Sequence, residues 1–258
     1  MEKKTALITG ATSGFGKAIA ARFASEGWNI VITGRRQERL DELQKAWSAQ
    51  YKVEVHALKF DVRNYEEVRA SLESLPADWK RIDVLVNNAG LALGREPFHE
   101  GDLANWEQML DTNVKGLVYV TRTVSPWMIA LQHGTIINIG SIAGKEAYTG
   151  GNVYSASKFA VDALTKNMRL DFLPHGIRVC QVAPGAAETE FSLVRFKGDQ
   201  QKAKAVYHGF IPLSAEDIAD AVWFAASRPA HVCINDIVIM PTAQANATTF
   251  NRSSTVQQ

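Results

Sequence analysis

The stretch Thr5-Ala6-Leu7-Ile8-Thr9-Gly10-Ala11-Thr12-Ser13-Gly14-Phe15-Gly16-Lys17-Ala18-Ile19-Ala20-Ala21-Arg22-Phe23-Ala24 changes character twice. A short apolar run ends at Thr9, glycines follow at 10, 14 and 16, and apolar residues then recur at helical spacing. Strand, glycine turn and helix in this order form the unit from which a parallel sheet is wound, because a parallel neighbour is reached only by a crossover. Gly10 permits the tight turn off the strand, Gly14 lets backbone approach a pyrophosphate at the helix N-terminus, and Gly16 lets helix and sheet pack closely. The spacing is GxxxGxG rather than GxGxxG, so the glycines alone would fit any glycine-rich turn. The flanking strand and helix point instead to dinucleotide binding, with Thr12, Ser13 and Phe15 in the same cradle.

The alternation continues along the chain. Strand-like runs at 5–9, 29–33, 53–59, 83–87, 135–140, 178–183 and 237–240 alternate with helical stretches at 15–26, 36–49, 64–74, 103–131, 152–174 and 215–227. Gly27, Gly134 and Gly176 stand as stop signals. Most of the strands lack strict alternation, as strands buried on both faces do. The predicted class is α/β: a single Rossmann-type, doubly wound, parallel seven-stranded sheet with helices on both faces. With 258 residues and 46% hydrophobic content, the chain lies near the upper limit for one core. Residues 1–241 are expected as one domain. Residues 242–258, polar and aperiodic, read as a tail that stays extended unless a neighbouring subunit holds it.

Lys and Arg number 28 against 27 Asp and Glu, so no net field draws the protein to nucleic acid or an anionic membrane. No apolar run approaches the roughly 18 residues of a bilayer span, and Met1 to Lys4 lead directly into the first strand without a signal-peptide core. The expectation is a cytoplasmic protein whose partners are small molecules and copies of itself. Cys180 and Cys233 sit in apolar strand-like stretches and are expected as buried thiols. The six histidines show no ligand spacing, so no metal is expected.

A fold of this kind places an acidic side chain about 20 residues past the glycine loop when the cofactor is NAD. Here the second strand ends in Thr33-Gly34-Arg35-Arg36. A guanidinium suits a 2′-phosphate better than a bare hydroxyl, and cations at a helix N-terminus oppose its dipole and so favour an anion nearby. NADP is therefore the expected cofactor; the alternative is that Arg35 and Arg36 are the basic start of a solvated helix. Asp61 and Val62 close the third strand, where an adenine should lie. Asn87-Asn88-Ala89-Gly90 close the fourth, where ligands bind in open α/β sheets; Asn87 and Asn88 are expected to touch cofactor and brace the sheet, the alternative being ordinary turn residues.

Tyr154-Ser155-Ala156-Ser157-Lys158 sets a phenol and an ammonium four residues apart, on one helix face. A nearby cation lowers the phenol pKa from its usual value of about 10, the tuning a general acid/base needs. Ser141 follows the fifth strand, and Asn113 lies in the helical segment before it.

Taken together, these residues resemble the short-chain dehydrogenases/reductases. The motifs are TGATSGFG at 9–16, NNAG at 87–90, the set Asn113, Ser141, Tyr154 and Lys158, and Pro184-Gly185, spread over nearly the whole chain. The resemblance implies that Tyr154 gives or takes the substrate proton while Ser141 polarises the carbonyl oxygen. Lys158 would hold the nicotinamide ribose and depress the tyrosine pKa, and Asn113 would support a water that relays protons. Pro184, Gly185 and Thr189 would border the nicotinamide. Family members usually assemble as tetramers through the helices at 103–131 and 152–174, so a homotetramer is expected.

Within the family, 34–40, 87–94, 150–154 and above all Thr189-Glu190-Phe191-Ser192-Leu193-Val194-Arg195-Phe196 are similar to NADP-dependent 3-hydroxy acid dehydrogenases, which act on serine, allo-threonine and related acids. Arg195 can clamp a carboxylate bidentately, although a surface arginine often forms only a weak solvated ion pair. Gly150 would let backbone approach a small ligand, or serve as a plain helix entry. Ala186-Ala187 stand where this branch carries larger residues, which keeps a reductase of bulkier neutral carbonyls open. A non-catalytic NADP-binding sensor is the rival from another class.

Overall fold

The computed structural model describes residues 3–253. Seven strands, β1 (Thr5–Ile8), β2 (Asn29–Gly34), β3 (Val55–Lys59), β4 (Val84–Asn87), β5 (Gly134–Ile139), β6 (Ile177–Pro184) and β7 (Asp236–Ile239), form one sheet in the order β3-β2-β1-β4-β5-β6-β7. Every pairing is parallel. The order reverses between β1 and β4, and it is outside the carboxyl ends of strands at such a reversal that an open sheet leaves its ligand crevice.

Successive strand residues point to opposite faces, and here both faces are covered. Ile8, Ile30 and Ile32 pack beneath α1 (Gly14–Ser25), α2 (Gln37–Tyr51) and α9 (Ala215–Ala226), with Phe23, Leu40 and Val222 in the same cluster. Leu7, Val31 and Leu85 face the other way, against Val68 and Leu72 of α3 (Tyr65–Glu73) and Val120, Val124 and Met128 of α5 (Gly116–Leu131). That double burial is why these strands read as unbroken apolar runs.

Two expectations need correction, and a segment without an assigned element proves helical. The helix expected over 103–131 is α4 (Leu103–Leu110) followed by a π turn at Asp111–Lys115 and then α5. The turn adds a residue where Gly116 meets Val62; a Cβ there would lie 2.7 Å from the valine methyl. The segment after Pro184-Gly185 holds two short helices, α7 (Glu190–Arg195) and α8 (Gln200–Ala205), each too short to show a hydrophobic period. Cys180 is buried, but Cys233 is exposed in the loop leading to the edge strand β7.

The stretch from 242 onward packs on its own chain. The Asn251 N–H donates to the Ala243 carbonyl, the Phe250 ring sits 5.1 Å from Phe210, and the Arg252 guanidinium lies over both rings. Arg252 also donates to the Val206 and His208 carbonyls. The tail is thereby fixed to the segment that follows α8, and the remainder, 254–258, falls outside the described residues.

Candidate active site

A cavity of about 870 Å³ opens at the carboxyl ends of the central strands, beneath α7 and α8. The glycine loop forms one end. Gly10 and Gly14 take φ of +67° and +51°, a region costly for residues with a Cβ. A Cβ at Gly10 would also approach the Ala89 Cα to 3.0 Å. Asn88 bonds the turn from below, its side-chain amide donating to the Thr9 carbonyl at 2.8 Å.

Helix α1 begins without a side-chain cap, because Ser13 makes no such bond. Asn64, Asp102, Thr189, Asp199 and Ser214 each cap their own helices. The first turn of α1, like that of α2, thus has no N-cap side-chain acceptor, and such a terminus suits an anion. Arg36 is aimed at the same end: its guanidinium donates to the Thr12 hydroxyl at 2.7 and 3.1 Å and to the Ser13 hydroxyl at 2.9 Å. Arg35 turns toward Asp61 instead, at 4.0 Å. Burial works against the Asp61 charge, yet its bonds to Arg63 hold the carboxyl below the usual carboxylate range. This donor set, uncapped helix and guanidinium together, fits a dinucleotide that carries an extra phosphate.

The other end collects the side chains expected to be reactive. Tyr154 and Lys158 stand on α6 (Asn152–Phe172), and Ser141 follows β5; all three line the cavity. The Ser141 hydroxyl accepts the Ala143 N–H at 3.1 Å. The expected lowering of the phenol pKa by Lys158 is not borne out. The Lys158 ammonium donates to the Ile139 carbonyl at 2.9 Å and stands 6.0 Å from the tyrosine ring. Burial, with Tyr148 adding to it, pushes the phenol up to about 12, while Ser141 and Arg195 oppose the shift. Burial also brings Lys158 down to about 8.

Gly10, Thr12, Ser13, Gly14, Phe15, Arg35, Arg36, Asp61 and Val62 line the cavity, as do Ala89, Gly90, Pro184, Gly185, Thr189 and Arg195. Four expected residues stand behind its wall. Gly16 packs under the loop, where a Cβ would lie 2.4 Å from both the Asn88 amide and the Gly10 carbonyl. Asn87 is buried and donates to Thr121 and Asn138, bracing β4 against β5 and α5. The Asn113 amide clamps both backbone groups of Leu91 and donates to Ser157. Gly150 faces Arg95, whose carbonyl a Cβ would meet at 2.6 Å.

Tyr148 and Arg95 also line the cavity, and sequence reasoning missed both. The Arg95 and Arg195 guanidinium groups lie 5.7 and 5.9 Å from the Tyr148 ring. Neither residue belongs to a motif, and both lie in irregular segments without a period to mark them.

Residues 4–199 match the family described as short chain dehydrogenase. The chain is 50% identical over 240 residues to sulfoacetaldehyde reductase 2 of Chromohalobacter salexigens, covering 93% of this chain and 94% of that one. It is 49% identical over 242 residues to the NADP-dependent 3-hydroxy acid dehydrogenase YdfG of Escherichia coli K12, covering 93% and 96%. Among solved structures, the closed form of serine dehydrogenase complexed with NADP+ matches with a TM-score of 0.90 at 47% identity, over 97% of this chain and 100% of that one. On the matched motifs, the fold and these identities, the chain belongs to the short-chain dehydrogenase/reductase family.

Proposed function

We propose that this chain is an NADP-dependent oxidoreductase acting on a small anionic alcohol or its aldehyde, of the 3-hydroxy acid class that includes serine, allo-threonine and 3-hydroxypropionate. The observation that carries the substrate class is Arg195. Its guanidinium lies 5.6 Å from the Tyr154 ring, fixed by bonds from Nε to the Gly94 carbonyl and from Nη2 to the Tyr148 hydroxyl. No hydrogen bond or ion pair engages Nη1 among the described residues, and Arg195 lines the cavity, so its guanidinium can pair with a carboxylate.

In this reading Arg35 and Arg36 hold the 2′-phosphate, the start of α1 holds the pyrophosphate, and Asp61 and Val62 border the adenine. The nicotinamide supplies or accepts the hydride. Tyr154 donates a proton to the substrate oxygen in reduction and removes it in oxidation, and Ser141 holds that oxygen. Lys158, anchored by Ile139, presents a cation to the same pocket and holds the cofactor ribose. Asn113 positions the 91 loop and the Ser157 turn of α6 rather than touching substrate.

A sulfonate aldehyde is the second substrate reading, favoured by the identity to sulfoacetaldehyde reductase 2; a guanidinium serves either anion. The proposal extends to a homotetramer, supported by the exposed Phe159, Leu170 and Leu173 on and after α6, and to a cytoplasmic location. Among the described residues no helix is long and apolar enough to cross a membrane.

The test is oxidation of NADPH with malonic semialdehyde, sulfoacetaldehyde and a neutral aldehyde by wild type and Arg195→Ala. The variant should raise KM for the anionic substrate about 10- to 100-fold, the loss of hydrogen bonds to a charged group, and leave the neutral aldehyde unchanged. An equal change for both kinds of substrate would overturn the anion assignment.

A further inference from the structure

The first residue of α7, Glu190, reaches across the mouth of the cleft to the phosphate end. Its carboxylate accepts from Arg36 Nη1 at 3.3 Å and from Arg39 Nη1 at 3.0 Å. Partial burial opposes its charge, but the bonds from Arg39 and Arg36 hold it below the usual carboxylate range. Arg36 is simultaneously pinned to Thr12 and Ser13 of the glycine loop, so one guanidinium joins the cofactor loop to the covering segment. Thr189, which caps α7, stands within 3.4 Å of a Cβ placed on Gly14.

Resting on the reading that Arg36 receives the 2′-phosphate, we propose that Glu190 is a placeholder for that phosphate and a specificity-determining residue. The carboxylate sits on the guanidinium edge that a phosphate needs, and two anions repel each other when they share one cation. Arrival of the phosphate releases Glu190 from Arg36, leaves Arg39 as its remaining partner, and so loosens the start of α7. A cofactor with only a ribose hydroxyl leaves the tether in place. The covering segment thus senses which dinucleotide is bound. The residues involved are about half exposed, so solvent and salt screen the competition and its effect is a modest factor rather than an on/off switch.

The variant Glu190→Gln keeps the shape and removes the charge. Fluorescence titration should show NADPH binding about 3- to 10-fold tighter than in wild type at low salt, with NADH unchanged and the difference shrinking at high salt. Hydrogen exchange supplies a second readout without turnover. Adenosine 2′,5′-bisphosphate should speed exchange at residues 190–195 in wild type, 5′-AMP should not, and Glu190→Gln should be fast with neither ligand. The inference is overturned if NADPH and NADH shift by the same factor, if NADPH binds more weakly to the variant, or if the bisphosphate leaves exchange at 190–195 unmoved. Wild type that binds NADPH no better than NADH refutes instead the cofactor reading on which the inference rests.

Discussion

The Arg195 guanidinium lies 5.6 Å from the centre of the Tyr154 ring, bringing a residue of α7 to the side chain on α6 that is proposed to move the proton. Burial pushes that phenol up to about 12, so in the unliganded protein it stands as a proton donor. Replacing Tyr154 with phenylalanine removes the donor and leaves the ring packing against Phe191 in place. Turnover should fall about 10²- to 10⁴-fold, the usual contribution of a positioned acid or base, while NADPH titration by fluorescence stays near wild type. Undiminished reduction would refute the assignment.

Lys158 gives a prediction about stability. Its folded pKa, lowered to about 8 by burial, lies below the value of about 10.4 in an unfolded chain. Between these values the unfolded state binds more protons, so stability rises with pH across that window, and the cost of burying the charge is fully present below it. Lys158→Met removes the titration. The stability of wild type relative to this variant should rise by about 3 kcal/mol between pH 8 and 10.5, at about 1.36 kcal/mol per pKa unit. Urea unfolding at several pH values reads this directly, and parallel curves for the two proteins would refute it.

The parts of this arrangement that were legible in sequence are those made by local pattern. Strand, glycine loop and helix at 5–24 follow from short-range spacing, and Tyr154 and Lys158 share a face because a helix repeats every 3.6 residues. What was not legible depends on contacts between distant segments. Asn87 reads as both a sheet brace and a cofactor contact; the bracing holds, through Thr121 and Asn138, while its place behind the cavity wall depends on a sheet order that local sequence does not show. The Lys158 ammonium takes the Ile139 carbonyl rather than leaning on Tyr154, a choice set by where β5 ends. The polar composition of 242–258 suggested a loose tail, and a few anchors, Phe250 and Arg252 on Phe210, outweigh it.

Gly16 separates packing from ligand contact. A Cβ there would lie 2.4 Å from the Asn88 amide nitrogen and from the Gly10 carbonyl oxygen, and the second of these is backbone that cannot step aside cheaply. Gly16→Ala should cost about 1–3 kcal/mol, the range for overpacking a filled interior, seen as a lower urea midpoint with an unchanged slope. A full-strength midpoint would show that the loop has slack.

Gln244 is the anchor by which the end of the chain reaches the cleft. It is buried; its Oε1 accepts the Ala186 N–H at 2.8 Å, and its Nε2 donates to the Asn246 carbonyl at 3.0 Å. The side chain lies so close to Gly185 that a Cβ there would come within 2.4 Å of Oε1. Gln244→Ala leaves a buried N–H without an acceptor next to the Pro184-Gly185 turn, a loss of about 1–3 kcal/mol. Gln244→Glu keeps the acceptor for Ala186 but sets a buried carboxylate oxygen against the Asn246 carbonyl, so it should be destabilised too, most where the carboxyl is ionised. If the bond to Ala186 is what holds the tail, alanine should speed hydrogen exchange at 243–252 and at 186–187 together, and glutamate should do so at 245–249 alone. Equal exchange at 186–187 in all three proteins would mean that the aromatic contacts of Phe250 suffice by themselves.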